Sequence, residues 1–147
     1  MVNESLSKGA EPLPVRSGQR VPLRVVHLGK RGRGVVAERR IAAGELVERS
    51  PVLIIPHEQR AAVDPTNVGN YIFLWEPGTT GEDLYRQEGR AAIALGYTSL
   101  VNHSPEPNCA FTRHFEALAL DLYAIRGIEE GEEITFDYGM TLWFEPD

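Results

Sequence analysis

Four polar residues crowd one short stretch of the chain, Asn102, His103, Ser104 and Asn108 in SLVNHSPEPNCAF, and Tyr138 stands near the end of a second, GEEITFDYG, over residues 131–139. Side chains of these types activate nucleophiles, move protons or bind metals, so two chemistries are weighed first. A nucleophilic triad has its residue types in His103, Ser104 and Asp137 or Asp121. Adjacent His and Ser give an awkward geometry, however, and the chain has no GxSxG nucleophile elbow. A metal site from His103, Cys109 and His114 matches no familiar zinc spacing, and both histidines have ordinary roles as polar strand or turn residues. Neither chemistry is adopted, and no metal is expected.

The elements that must position these residues are bounded by composition. With 147 residues, 42% of them hydrophobic, the chain forms one compact domain that buries roughly two thirds of its unfolded surface. A net charge of −6 and a pI near 5.3 provide no basic field for nucleic acid; a positively charged partner fits better, though the charge alone is as simply that of a soluble acidic protein. The single cysteine, Cys109, excludes an internal disulfide and a Cys-rich zinc cluster and suits a reducing compartment. No apolar stretch approaches the roughly 18 residues of a membrane span, and the N-terminus lacks the apolar core of a signal peptide. The expectation is a cytoplasmic protein, nuclear if its source is eukaryotic, with no membrane or direct nucleic-acid contact.

Residues 1–22 mix Ser, Gly and charge with Pro12, Pro14 and Pro22 and read as a mobile tail. Leu23, Val25, Val26 and Leu28 then predict a strand that stops at GKRGRG, residues 29–34, whose glycines permit positive φ and close approach of another molecule. The same loop serves equally as a plain hairpin turn. It is not a phosphate loop, since no Walker pattern or helix follows. VVAERRIAAGELVE reads as strand, turn, strand, with Gly44 in the turn and Ile41 buried beneath it. Ala37, Arg39, Ile41, Gly44, Glu45 and Val47 return as Ala124, Arg126, Ile128, Gly131, Glu132 and Ile134, a constant offset of 87 positions (37 to 124). Two copies are too few for a solenoid and predict two similar corners facing each other across one β domain.

Between the corners, residues 52–55 read as a strand buried on both faces, and residues 57–63 as one or two helical turns broken at Asp64-Pro65. Residues 70–76 predict a strand with Tyr71, Phe73 and Trp75 on one face, either as core or as the lining of a groove. Residues 77–89 read as a surface loop suited to substrate-specific contacts. Residues 91–95 form a buried strand turned by Gly96, and residues 97–101 a single helical turn. Two strands follow over 108–115 and 116–125, the second apolar and central. Glu129, Glu130, Glu132 and Glu133 read most simply as a solvated turn, or as an attractor of basic peptide if a groove lies beside them.

Taken together, NHSPEPN at residues 102–108, GEEITFDYG at 131–139 and GRG at 32–34 resemble the signature of SET-domain protein lysine methyltransferases. The three motifs occur in the family's order, with the AxRxIxxGE corners, and the resemblance spans about residues 23–139. It implies a mainly β fold of small curved sheets, a β-clip with short helical turns, in which the C-terminal segment threads through the loop around the NHS motif as a pseudoknot. It also implies S-adenosyl-L-methionine as cofactor and a lysine-containing protein or peptide as substrate. Cofactor contacts would come from Lys30, Gly32, Arg33, Gly34, Asn102, His103 and Tyr138, with the Asn-His pair acting mainly through its main chain.

Methyl transfer from a sulfonium to an amine is an in-line displacement, so the protein must chiefly hold three atoms in a row. Burial beside a positive sulfonium lowers the lysine pKa from about 10.4 and lets the proton leave. Tyr138, the catalytic residue implied by the family, would orient the amine. In the family a phenolic hydroxyl at either of two channel positions favours single methylation. Those positions here are Phe111 and Phe136, so di- or trimethyl product is expected.

The chain departs from the family where VERSPVLIIP replaces a YxGE segment, which leaves the second channel tyrosine to Tyr71 or Tyr97. It has no cysteine-rich module, and Trp143 and Phe144 in the tail over residues 140–147 stand where the channel would be closed or a hydrophobic plug formed. Two other readings remain at this stage. One is a SET-like module that binds a peptide or adenosyl ligand without turnover, and the other a methyltransferase for a non-protein amine.

Overall fold

Alternating apolar residues pair Leu23–His27 (β1) with Arg33–Ala37 (β2) as an antiparallel hairpin, from Leu23 opposite Ala37 to His27 opposite Arg33. The GKRGRG loop is its turn. A 3-10 turn over Gly29–Arg31 is closed by the Leu28 N–H donating to the Gly32 carbonyl at 2.7 Å, and Gly29 and Gly32 take φ of +63° and +79°, values that disfavour a side chain. The structure, a computed structural model, describes residues 16–76 and 89–142, the last five as backbone only.

The other strands are Leu46–Ile55 (β3), Ile72–Leu74 (β4), Ala91–Ala94 (β5), Asn102–His103 (β6), Cys109–His114 (β7), Ala119–Ala124 (β8) and Thr135–Leu142 (β9). They form one sheet in the order β4-β5-β3-β8-β7-β9-β6. A 3-10 turn at His57–Gln59 runs into a one-turn helix, Arg60–Val63 (α1), that ends at Asp64, and further 3-10 turns cover Asn67–Tyr71 and Tyr97–Leu100. β8 is central as expected. Its Leu120 and Leu122 are core, and its buried Asp121 accepts from Arg49 at 2.7 and 2.8 Å, which raises the Arg49 pKa.

β9 is the exception to antiparallel pairing. It lies parallel to β6 on one side, with Asn102 opposite Thr135 and His103 opposite Phe136, and parallel to β7 on the other. Because β6 and β7 flank it, the connection over residues 104–108 must cross β9. This is the threaded arrangement of the pseudoknot, and with the small sheets and short turns it matches the expected fold class.

The repeated corners meet about a local twofold axis. Ile41 and Ile128, both fully buried, exchange backbone hydrogen bonds of 2.8 and 2.9 Å. Gly44 N–H donates to the Ala124 carbonyl (2.7 Å) as Gly131 N–H donates to that of Ala37 (2.8 Å), and Ala124 N–H donates to Glu45 as Ala37 N–H does to Glu132, both at 3.0 Å. Side chains repeat the pattern. Glu45 accepts from Arg39 and from the Ala42 N–H, and Glu132 from Arg126 and the Glu129 N–H. Arg39, then the Ala42 N–H, holds the Glu45 carboxyl below its usual range, and the Glu129 N–H, then Arg126, does so for Glu132. The two glycines, with φ of +85° and +86°, sit where a Cβ is disfavoured.

Four expectations are corrected. The tail does not extend to Pro22, because Gly18 and Val21 donate to the carbonyls of Arg49 and Val47 and Arg49 donates to that of Gln19, which adds this segment to β3; residues 1–15 lie outside the described residues. Residues 52–55 are not a separate strand buried on both faces. They are the outer half of β3, which extends past the end of β8 and pairs only with β5, so Leu53 is 55% exposed. Asn70 and Tyr71 belong to a 3-10 turn rather than a strand, and of the three alternating aromatics only Phe73 and Trp75 are core. The acidic run is not simply solvated, since Glu132 closes its corner and Glu133 is paired with Arg31. Residues 77–88, most of the expected specificity loop, also lie outside the described residues.

Ile41→Ala and Ile128→Ala should each lower stability by about 2–5 kcal/mol. Because both side chains fill one interface, the double variant should lose measurably less than the sum, as read by urea denaturation.

Candidate functional site

The corner pairing sets β2 alongside the residues that lead into β9. Ile134 N–H donates to the Val35 carbonyl at 2.8 Å, and Val36 is bridged to Glu133. One residue further back, the GRG segment therefore faces Glu133 and Asn102. The Asn102 amide donates to the Arg33 carbonyl at 3.0 Å and to Glu133 Oε2 at 2.9 Å, while Arg31 is paired with the same carboxylate. Gly34 has no space for a side chain. A Cβ there would lie 2.4 Å from Leu28 Cδ1, 2.9 Å from Glu133 Oε2 and 3.0 Å from Asn102 Nδ2, closer than real Cβ contacts and so requiring the group to shift.

Asn108 fixes the other side of the threaded strand. It is 1% exposed, accepts from the Thr135 N–H at 2.9 Å and donates to the Glu133 carbonyl at 2.8 Å. A buried amide that satisfies backbone groups of a crossing segment locks its register. Ser104 N–H donates to the Phe136 carbonyl at 3.0 Å, so NHS and FDY run side by side. Tyr138, whose backbone belongs to β9, is thereby held in the strand flanked by Asn102–His103, though its side chain is outside the described atoms.

Beside this junction opens a cavity of about 540 Å3 lined by His27, Arg31, Gly32, Arg33, Tyr71 and Asn102 together with residues 99–101. It collects Gly32, Arg33, Asn102 and Tyr71 from the expected site residues. Lys30 sits on the exposed 3-10 turn, and Gly34 behind the wall. His103 lies 3.7 Å from Asp137. Tyr97 lines a different cavity, of about 380 Å3, with Arg20 stacked over its ring at 4.8 Å. Phe111 and Phe136 come together, ring centroids 5.3 Å apart, with Phe73 edge-on to Phe111 at 5.0 Å. Trp143 lies outside the described residues.

Cys109 is buried in β7 with its thiol pushed up to about 12, chiefly by burial, which suits packing rather than reactivity. Glu133 and Asn108 were the site residues that composition and spacing did not single out for these roles. The SET-domain family model matches residues 32–139, beginning at the GRG turn and ending after the FDYG strand. The chain belongs to the SET-domain family of protein-lysine methyltransferases.

Its relatives agree. The chain is 32% identical over 129 residues to the histone-lysine N-methyltransferase, H3 lysine-37 specific, of Schizosaccharomyces pombe, covering 87% of this chain and 80% of that protein. It is 30% identical over 154 residues to the H3 lysine-9 specific enzyme dim-5 of Neurospora crassa, covering 90% of this chain but only 45% of that one. The solved structure of the Neurospora SET domain protein DIM-5 superposes with a TM-score of 0.58 at 27% identity, over 88% of this chain and 56% of that one.

SET-domain membership implies S-adenosyl-L-methionine, and the cavity fits it. Its walls include the glycine turn and Asn102, and a Cβ at Gly34, behind that wall, would press on Asn102 and Glu133 and displace them.

Gly34→Ala should therefore weaken binding of S-adenosylhomocysteine by about tenfold or more in calorimetry. Asn108→Ala should instead lower stability by about 2–4 kcal/mol, since it strands a buried N–H and a buried carbonyl, as read in denaturant melts.

Proposed function

We propose that this SET domain transfers methyl groups from S-adenosyl-L-methionine to the ε-amine of a lysine in a protein, and transfers more than one to the same amine. The observation that carries the proposal is the meeting of three distant segments, Gly32–Gly34, Asn102–Asn108 and the approach to Tyr138 through Glu133, beside one cavity that Gly32, Arg33 and Asn102 line. Gly32, Arg33, Gly34, Asn102 and His103 hold the cofactor, largely through backbone groups, with Lys30 at the loop's outer side. When bound, the cofactor supplies an electrophilic methyl group on a sulfonium.

The remaining work falls to the chain. Phe111, Phe136 and Phe73 offer an apolar wall that penalises an ammonium more than an amine, so the substrate lysine gives up its proton more readily. The Tyr138 hydroxyl orients the amine lone pair by hydrogen bonding. Between the two candidates for the second channel tyrosine, Tyr71 is favoured, because it shares the cavity with Gly32 and Asn102, whereas Tyr97 faces another. With Phe111 and Phe136 bare of hydroxyls, no water is pinned beside the amine and room remains for a methylated nitrogen to turn. A net charge of −6 favours encounter with a basic, lysine-rich substrate, and the relatives are named for histone lysines.

Labelled S-adenosylmethionine and core histones provide the test. Tyr138→Phe should lower kcat by about 10²–10³-fold while S-adenosylhomocysteine still binds, and equal label transfer by both proteins would remove Tyr138 from the role. Tyr71→Phe should reduce turnover more than Tyr97→Phe.

Product state is read separately, by mass spectrometry at long times and high cofactor. Di- and trimethyl-lysine are expected from the wild type and a shift to monomethyl from Phe136→Tyr. Monomethyl product alone from the wild type would overturn the multiple-transfer reading.

A further inference from the structure

The four glutamates of residues 129–133 look interchangeable in the sequence but do different work in the fold. Glu129 reaches Arg40 at 3.4 Å with both side chains exposed, 69% and 60%, a pairing that contributes little. Glu132 is spent on its own corner. Glu130 is exposed. Glu133 alone among them points toward the cavity wall, with its side chain 19% exposed.

Its carboxylate accepts from two residues that line the cavity, Asn102 at 2.9 Å and Arg31. Asn102 in turn donates to the carbonyl of Arg33 at 3.0 Å, so one carboxylate holds the side chain that holds the backbone of the glycine turn. The backbone of Glu133 is fixed independently, by Asn108 donating to its carbonyl at 2.8 Å and by the bridge to Val36. The result is an anchor on the threaded strand's approach with two arms, each to a residue that lines the cavity.

We infer that Glu133 is a positioning residue for the cofactor. Through Asn102 and Arg31 it draws the hairpin turn and the NHS segment to a fixed separation, and thereby sets the affinity of the cavity without itself taking part in methyl transfer. The inference rests on the cofactor reading of that cavity. Two consequences separate the arms. Glutamine at this position keeps an acceptor for Asn102 but loses the charge that holds Arg31, whereas alanine loses both.

The test is calorimetric titration of S-adenosylhomocysteine into the wild type, Glu133→Gln, Glu133→Ala, Arg31→Ala and, as a control from the same acidic run, Glu129→Ala. Steady-state kinetics on a lysine-bearing peptide and thermal melts accompany it. Glu133→Ala should weaken cofactor binding by about ten- to a hundredfold, with Glu133→Gln and Arg31→Ala in between and Glu129→Ala at the wild-type value. KM for S-adenosylmethionine should rise in proportion while KM for the peptide and kcat at saturating cofactor stay within about threefold. Wild-type affinity in Glu133→Ala would overturn the inference. So would equal losses in cofactor affinity, peptide KM and kcat, the signature of a merely structural role. If the alanine variant does not fold, Glu133→Gln and Arg31→Ala decide the matter, and wild-type affinity in both overturns it. Failure of the wild type to bind would overturn the cofactor reading, and this inference with it.

Discussion

The antiparallel bridge between Ile41 and Ile128 is the constraint on which the site depends. Once these two residues exchange their backbone hydrogen bonds, the directions of the chain on either side are set. β2 must run back from one corner along the segment that leaves the other, with Ala37 against Gly131, Val36 against Glu133 and Val35 against Ile134. The GRG turn therefore arrives beside Glu133 and Asn102 without any contact of its own to find them. The buried isoleucines supply the apolar area, and the paired Arg-Glu contacts shape each turn so that its glycine can take a positive φ. A twofold arrangement makes each stabilising feature count at both ends, and also ties them together. Damage to one corner displaces the segment that the other must deliver.

Threading is the second constraint and follows from the first. β9 can lie between β6 and β7 only if residues 104–108 cross it, and a crossing loop in a small domain has few ways to satisfy its polar backbone. Asn108 supplies the answer. It meets the Thr135 N–H and the Glu133 carbonyl from a position almost wholly shielded from water, so the strand that carries Tyr138 is held by side-chain chemistry where a regular ladder is interrupted. Every pairing of β9 is with a strand distant in sequence. The loop entropy of closing those contacts must be met before they can stabilise the strand, and the side-chain bonds of Asn108 help to offset it.

Much of this was legible in the residues. The corners were visible because their pattern is local, with small, basic, apolar, glycine and acidic residues at fixed places, and its recurrence needed no knowledge of the fold. β7, β8 and the helical turns followed from apolar runs and from Asp64-Pro65. What could not be read were features decided by neighbours. Leu53 lies in an apolar run yet is exposed because β3 outlasts β8, and no periodicity within residues 52–55 reports where another strand stops. Gly18 and Val21 look like tail by composition, but an unpaired stretch of β3 gave their backbone a partner. Tyr71 alternates with Phe73 and Trp75, yet a 3-10 turn puts it at the cavity instead. Glu133 was hidden by its company, since four acids in five positions read as solvent-facing. Its burial comes from Arg31 and Asn102, residues 102 and 31 positions away.

The site also explains how an acidic protein handles a reaction that begins with a positively charged amine. Several polar and charged side chains near the cavity have partners. Arg31 is met by Glu133, Asn102 is divided between a carboxylate and a carbonyl, and Arg126 and Arg39 are spent on the corners. The rings of Phe73, Phe111 and Phe136 contribute no charge. The net charge of −6 acts at long range, where it favours approach of a basic substrate, while burial against apolar rings would discourage an ammonium from remaining protonated. An unpaired carboxylate beside the substrate amine would stabilise the ammonium and oppose the proton loss that the reaction needs. Pairing Glu133 with Arg31 thus serves two ends at once, since the same bond that holds the turn in place keeps the cavity's charge from working against its chemistry.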